Sequence, residues 1–305
     1  MTVLLDANTR CVVFGITGKE GSRATKEMIE YGTQVSCGIT PGKGGTEIEV
    51  KKVFDSLSEA LAFDPKINAA VLYVPPLMTL DAATEAIVHN IPLVVIITEN
   101  VPIKDSCKIL AMAKEHNCRV IGPSSVGIIT VGKAKIGSIA SNREKKAFTP
   151  GRVGIISKSG GLCSETAALL SRQALGQSTV IGIGGDALIG TTIADALLLF
   201  ETDDDTDVIV IIGEIGGMYE EQAAELIKQR KITKPVIALV CGRFAESIPR
   251  ELAFGHAGAI IENNTGTSEN KKKALADAGA IIARYHHEIP DLVNRELVRI
   301  KAKRE

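Results

Sequence analysis

The chain has 305 residues, enough for about two domains of ordinary size. Lys and Arg number 35 against 36 Asp and Glu, and the net charge of −1 excludes broad nucleic-acid binding and a polybasic membrane tether. A hydrophobic fraction of 45% against 23% charged residues excludes global disorder, and no apolar run approaches the ~18 residues of a membrane span.

The elements follow in chain order. Apolar runs at 11–14, 34–39, 69–74, 93–98 and 119–121 predict strands, and 20–31, 57–62, 79–89 and 104–115 predict helices. Strands separated by helices at this spacing predict a parallel, wound sheet of nucleotide-binding type over residues 1–131. A Lys- and Gly-rich stretch at 132–150 reads as an irregular connection. The pattern restarts over 151–305, with strands at 153–157, 178–183, 208–212 and 236–240. Helices are expected at 162–172, 193–200, 220–229 and 271–278. This second α/β unit is similar to a flavodoxin-like domain. The acidic run 203–205 is expected to be a solvated loop, and the basic end 294–305 a solvated helix end. His89, His116, His286 and His287 are expected at the surface. The six cysteines are scattered with no C-x-x-C pair, which predicts reduced structural thiols. The first ten residues include Asp6 and hold no apolar core of leader length, so a cytoplasmic location is expected.

Glycine-centred turns after the apolar runs carry the chemistry. The first spans 15–21 and contains Thr17, Gly18, Lys19 and Glu20, with G-x-x-G-x-x-G spacing. It is read either as a phosphate site at a helix N-terminus or as a plain tight turn. The second, 40–45, places Lys43 where a nicotinamide enzyme would carry Asp or Glu for its ribose hydroxyls. A cation there suits a ribose that bears a phosphate. Ile97, Thr98 and Glu99 end the fourth strand, on the ligand-bearing edge. Ser157, Ser159, Gly160 and Gly161 open a helix and form a second anion site, and with residues 184–186 they place small residues at neighbouring strand ends. A last turn, 213–217, contains Glu214 and pairs with 255–259, where small residues flank His256. His256 is read either as a buried structural histidine or as a nucleophile toward phosphoryl groups, in which case Glu214 holds its second ring nitrogen.

These motifs resemble the α subunit of succinyl-CoA synthetase and its relatives. That family is the NDP-forming acyl-CoA synthetases, including the corresponding part of ATP-citrate lyase. The resemblance covers essentially the whole chain and is carried by 15–21, 40–45, 73–76, 97–99, 182–186, 213–217 and 255–260. It implies a Rossmann-like domain that binds coenzyme A, followed by a flavodoxin-like ligase domain, both with parallel sheets. Thr17, Gly18, Lys19 and Glu20 would surround the CoA phosphates, Lys43 its nucleotide end, and Ile97, Thr98 and Glu99 would line the site. His256 would accept a phosphoryl group, supported by Glu214 and faced by the helix tip at Ser157, Ser159, Gly160 and Gly161. ATP or GTP with Mg²⁺ would be bound by an ATP-grasp β subunit in an αβ or (αβ)₂ heteromer. The other partner implied is a small carboxylic acid, with no nucleic acid and no membrane.

The departures bear on the acid. The succinate enzymes carry Tyr where this chain has Ser164, and Gly-Pro-Asn-Cys-Pro-Gly where it has 122–127 with Ser124 and Ser125. With Gly161, 231–235 and Phe254, these residues look more like the citrate-activating branch, so citrate is expected ahead of succinate. Ser164, Ser124 and Ser125 are the candidate substrate-pocket residues.

Overall fold

The computed structural model describes residues 3–140, 145–242 and 266–304. Its first sheet is built from β1 (Arg10–Phe14), β2 (Gln34–Ile39), β3 (Glu47–Ile48), β4 (Lys51–Phe54), β5 (Ala69–Leu72), β6 (Leu93–Ile96) and β7 (Arg119–Ile121). The strand order is β3-β4-β2-β1-β5-β6-β7, parallel throughout except for the β3/β4 edge pair. Helices α1 (Lys19–Tyr31), α2 (Leu57–Phe63), α3 (Thr79–Val88) and α4 (Ile103–Glu115) connect the strands. Every residue of β5 and β6 is buried, which explains their unbroken apolar runs, because a parallel strand covered on both faces has no polar side. Helix α2 begins where Ser56 Oγ accepts the amide of Glu59, and α1 ends at Gly32 in the left-handed region, φ 104°.

The second sheet contains β8 (Gly127–Thr130), β9 (Ala134–Gly137), β10 (Pro150–Ser157), β11 (Gln177–Gly182), β12 (Val208–Glu214), β13 (Val236–Cys241) and β14 (Ile281–Ile282). Its order is β14-β13-β12-β10-β11-β8-β9, with β8 antiparallel to both neighbours. The helices are α5 (Gly160–Arg172), α6 (Ile193–Glu201), α7 (Tyr219–Lys228), α8 (Ser268–Ala278) and α9 (Ile289–Arg304). Among the described residues, no helix is long and apolar enough to cross a membrane.

Three expectations are corrected. Residues 132–150 are not wholly irregular, since they contain β9 and the start of β10, and β8 with β9 extends the second sheet. Lys135 disguises this strand in the sequence. Its ammonium is buried, donating to the carbonyls of Ile139 and Ala140 at 3.0 Å each and lying 3.6 Å from Glu27 on α1. Asp203 of the acidic run is 2% exposed and accepts from Thr206 Oγ1 at 2.6 Å; only Asp204 and Asp205 are solvated. His89 and His286 are half-buried rather than superficial; His286 places Nε2 2.9 Å from Thr166 Oγ1. That hydroxyl already donates to the Leu162 carbonyl, so the ring Nε2–H is the donor.

Candidate active site at the meeting of two sheet edges

The first turn follows β1 directly. Gly15 has φ 75°, and a Cβ there would come within 2.4 Å of the Tyr73 carbonyl oxygen, so only glycine lets the chain turn this close to β5. The turn delivers Gly18 to the N-cap of α1, where no side chain caps the helix. Gly18, Lys19 and Glu20 are exposed, as an anion site at a helix tip requires. Glu20 is engaged with Arg23 at 2.5 Å. Thr17 Oγ1 donates to Thr40 Oγ1 at 3.2 Å, joining the first turn to the second. In the second turn Asp55 accepts the amides of Lys43 and Gly44, at 3.0 and 2.8 Å, which fixes the backbone and leaves Lys43 exposed at the sheet edge. Thr98 Oγ1 donates to the Val74 carbonyl at 2.8 Å, tying the ends of β5 and β6, with Ile97 half-buried and Glu99 exposed beside it.

The turn 122–127 then crosses from one sheet to the other. The amides of Ser124 and Ser125 donate to the carbonyls of Thr98 and Ile96, at 2.9 and 3.3 Å, while Gly185 donates to Ser124 and Gly122 to Ile183. Ser125 is 3% exposed; its hydroxyl donates to the Gly182 carbonyl at 2.5 Å and accepts the Gly127 amide at 2.8 Å. Its place is therefore a tie between sheets, whereas Ser124 is half-buried. The carboxyl edges of β6 and β11 are thus held together.

On the second edge, Ser157 ends β10 fully buried, with its hydroxyl donating to the Ser159 carbonyl and accepting the Ser159 amide. Ser159 caps α5, its Oγ accepting the Leu162 amide at 3.4 Å. First-turn amides lack intrahelical acceptors, so Gly160 and Gly161 bring a positive helix end to this edge. A Cβ on Gly160 would meet Val126 Cγ1 at 2.2 Å, while Gly161 has open space around it. Ser164 lies one turn further along α5 and is half-buried.

Glu214 is the last residue of β12. Lys158, between the two serines, forms a 2.9 Å ion pair with Glu214 Oε1, with the two side chains only 2% and 12% exposed. Beneath them Glu220 Oε1 accepts the Glu214 amide at 3.0 Å, and the same fully buried carboxylate pairs with Lys271 of α8. Motif spacing pointed to neither Lys158 nor the Glu220–Lys271 pair. The available signal for Lys158 was a lone cation within a run of small residues at the end of a buried strand. His256 and Phe254 lie outside the described residues.

Two family models match, a CoA-binding domain over residues 6–100 and a CoA-ligase domain over 156–281. The succinate–CoA ligase (ADP-forming) α subunit of Methanothermobacter thermautotrophicus is 45% identical, over 97% of this chain and 97% of its own length. That of Aquifex aeolicus is 42% identical, over 100% and 98%.

The chain belongs to the succinate–CoA ligase α-subunit family.

Family membership agrees with the two sheets, since β1–β6 of the first fall within the CoA-binding match and β11–β13 of the second within the CoA-ligase match. Solved structures add a further likeness. ATP citrate lyase of Methanothrix soehngenii, in complex with citrate and coenzyme A, aligns with TM-score 0.91 at 28% identity, over 99% of this chain and 51% of that one. The Methanosaeta concilii enzyme with citryl-CoA aligns at 0.89 and 29%, over 96% and 50%. This chain spans about half the length of those lyase chains. The family's other members here are named as α subunits, which implies a β partner.

Proposed function

We propose that the chain is the CoA-binding, phosphoryl-carrying α subunit of a nucleotide-dependent acid–CoA ligase. The observation that carries this reading is the joining, through the turn 122–127, of two sheet edges that each bear glycine-lined turns. An exposed helix tip with Lys43 nearby stands at the edge of one sheet, and the Ser159-capped tip of α5, beside the buried Lys158–Glu214 pair, stands at the edge of the other. In this reading a β subunit of ATP-grasp type, holding ATP or GTP with Mg²⁺, phosphorylates His256. Glu214 accepts the hydrogen bond of the second ring nitrogen, and the α5 tip stabilises the phosphoryl oxygens. The phosphoryl group then passes to a substrate carboxylate and restores the imidazole. The CoA thiolate attacks the resulting acyl phosphate; the carbon–sulfur bond forms as the carbon–oxygen bond to phosphate breaks. Phosphate leaves because it carries the departing electron pair far better than an oxide would.

Citrate is the acid assigned. Ser164 takes the place of a bulkier Tyr on the first turns of α5, and Gly161 leaves the helix tip open, which favours a larger and more polar acid. Succinate is the second reading, favoured by the named activity of relatives at 40–45% identity. The test mixes the chain with its cognate β subunit and labelled ATP or GTP. An acid-labile label is expected on the wild type and none on His256→Asn; equal labelling of both would overturn the mechanism. CoA-dependent NDP release is then compared between the acids, and activity with succinate alone would remove the citrate assignment.

A further inference from the structure

The side chain of Lys158 turns inward from the β10–α5 turn, away from the solvent-facing glycines that follow it. Its ammonium lies 2.9 Å from Glu214 Oε1 and 5.4 Å from the centroid of the Tyr219 ring. Its amide donates to the Ile212 carbonyl at 3.2 Å, two residues before Glu214, so backbone and side chain both register Lys158 against the end of β12. A buried pair that only fastened β10 to β12 would serve anywhere along the two strands. This one sits at the last residue of β12, beside the helix tip, where anions collect.

We infer that Lys158 is a positioning residue for phosphoryl transfer. The inference rests on the reading of His256 as the phosphoryl acceptor. The ammonium holds Glu214 Oε1, so that the carboxylate presents Oε2 to the imidazole, and it offsets the repulsion between that carboxylate and an incoming phosphoryl dianion. The other charged and titratable groups around Glu214 do not take this part. On α7, Glu220 accepts the Glu214 amide and is neutralised by Lys271 of α8, which also reaches Glu221. Tyr219 gives Lys158 its ring face and spends its hydroxyl on the Ala187 carbonyl. On β13, burial pushes the Cys241 thiol up, opposed by Lys272 and reinforced by Glu214, so it stays neutral. Among the described residues, Lys158 is the cation whose ion pair with the Glu214 carboxylate is direct.

The experiment uses the full chain with its cognate β subunit and follows acid-labile labelling of His256 against pH, with a thermal melt of each variant. Lys158→Met is expected to slow labelling by about 10- to 100-fold, the lower part of the range of one close, desolvated charge pair. Its acid limb should move to higher pH, because the nearby cation that favours the carboxylate is gone. Lys158→Arg should recover labelling to within about threefold, since a guanidinium keeps the charge and the donor. Lys158→Met/Glu214→Gln should be no slower than the slower single variant, because the two residues act as a unit. Should the Met variant fail to fold, Lys158→Gln against Lys158→Arg makes the same comparison. Labelling of Lys158→Met at the wild-type rate with the wild-type pH profile would overturn the inference, as would independent losses that multiply in the double variant. A wild type that takes no label on His256 would overturn the parent reading and the inference with it. Labelled wild type with indifferent Lys158 variants would overturn the inference alone.

Discussion

Replacing Lys271 by Met tests the charge network beneath Glu214. Lys271 and Glu220 are both 0% exposed and ion-paired, and the same ammonium reaches Glu221 Oε2 at 3.3 Å. Met keeps much of the stem volume but removes the cation, leaving a fully buried carboxylate beside a second that is 23% exposed. Breaking a buried pair by removing one partner costs about 3–5 kcal/mol. At about 2 °C per kcal/mol for a large chain, the Tm should fall by roughly 6–10 °C. A companion variant, Lys271→Met/Glu220→Gln, removes the orphaned charge while its amide oxygen can still accept the Glu214 amide. It should recover at least half of the loss, read by melts of the full chain in circular dichroism. A single variant that melts within about 2 °C of wild type, or a double variant no better than the single, would refute the charge argument.

Other outcomes follow from the same geometry. Gly161→Ala should melt at or above the wild-type temperature, since open space surrounds the site and Ala gains up to about 1 kcal/mol of helix propensity. Yet it should slow His256 labelling at least about tenfold by crowding the helix tip proposed to stabilise the phosphoryl group. Lys43→Ala should weaken CoA binding about 5- to 10-fold and leave dephospho-CoA binding unchanged, as measured by calorimetry, because its cation is assigned to the ribose phosphate. Burial lowers the His286 pKa, with Glu165 opposing and His287 reinforcing. A folded-state pKa below the unfolded value means that this stability is present above about pH 6.5 and is lost as pH falls through the folded value. The wild-type Tm should therefore drop more than that of His286→Gln on acidification from about pH 7.5 to 5.5, whereas equal drops would show that burial does not lower the pKa of the ring.

The parallel strands and their glycine turns were legible because a strand buried on both faces has to be apolar throughout, as in β5, β6 and β12. The antiparallel margin was not. β8 and β9 have four residues each, and the pairing of β8 with β11 is non-local, with Ile128 opposite Ile181. The buried charge of Lys135 further breaks the apolar signature of β9. Asp203 was hidden by its neighbours Asp204 and Asp205, which do face water. At the site, the glycines and serines of 157–161 and the carboxylate of Glu214 were readable from residue type alone. The partnership of Lys158 with Glu214 spans two separate strand ends and becomes visible only when β10 and β12 lie side by side.

Val126 gives the crossing turn a mechanical meaning. A methyl added at Gly160 would strike its Cγ1, and one at Gly182 its Cγ2, so the tip of α5 and the end of β11 both seat against one isopropyl group. That group comes from the same short covalent run that is stitched to β6. The gap between the two anchorages is therefore a fixed span rather than an adjustable one. In the proposed reaction, any travel needed to bring a thiol from its mooring to an activated carbonyl would fall to the swing of a long tether, not to rotation of one sheet about the other.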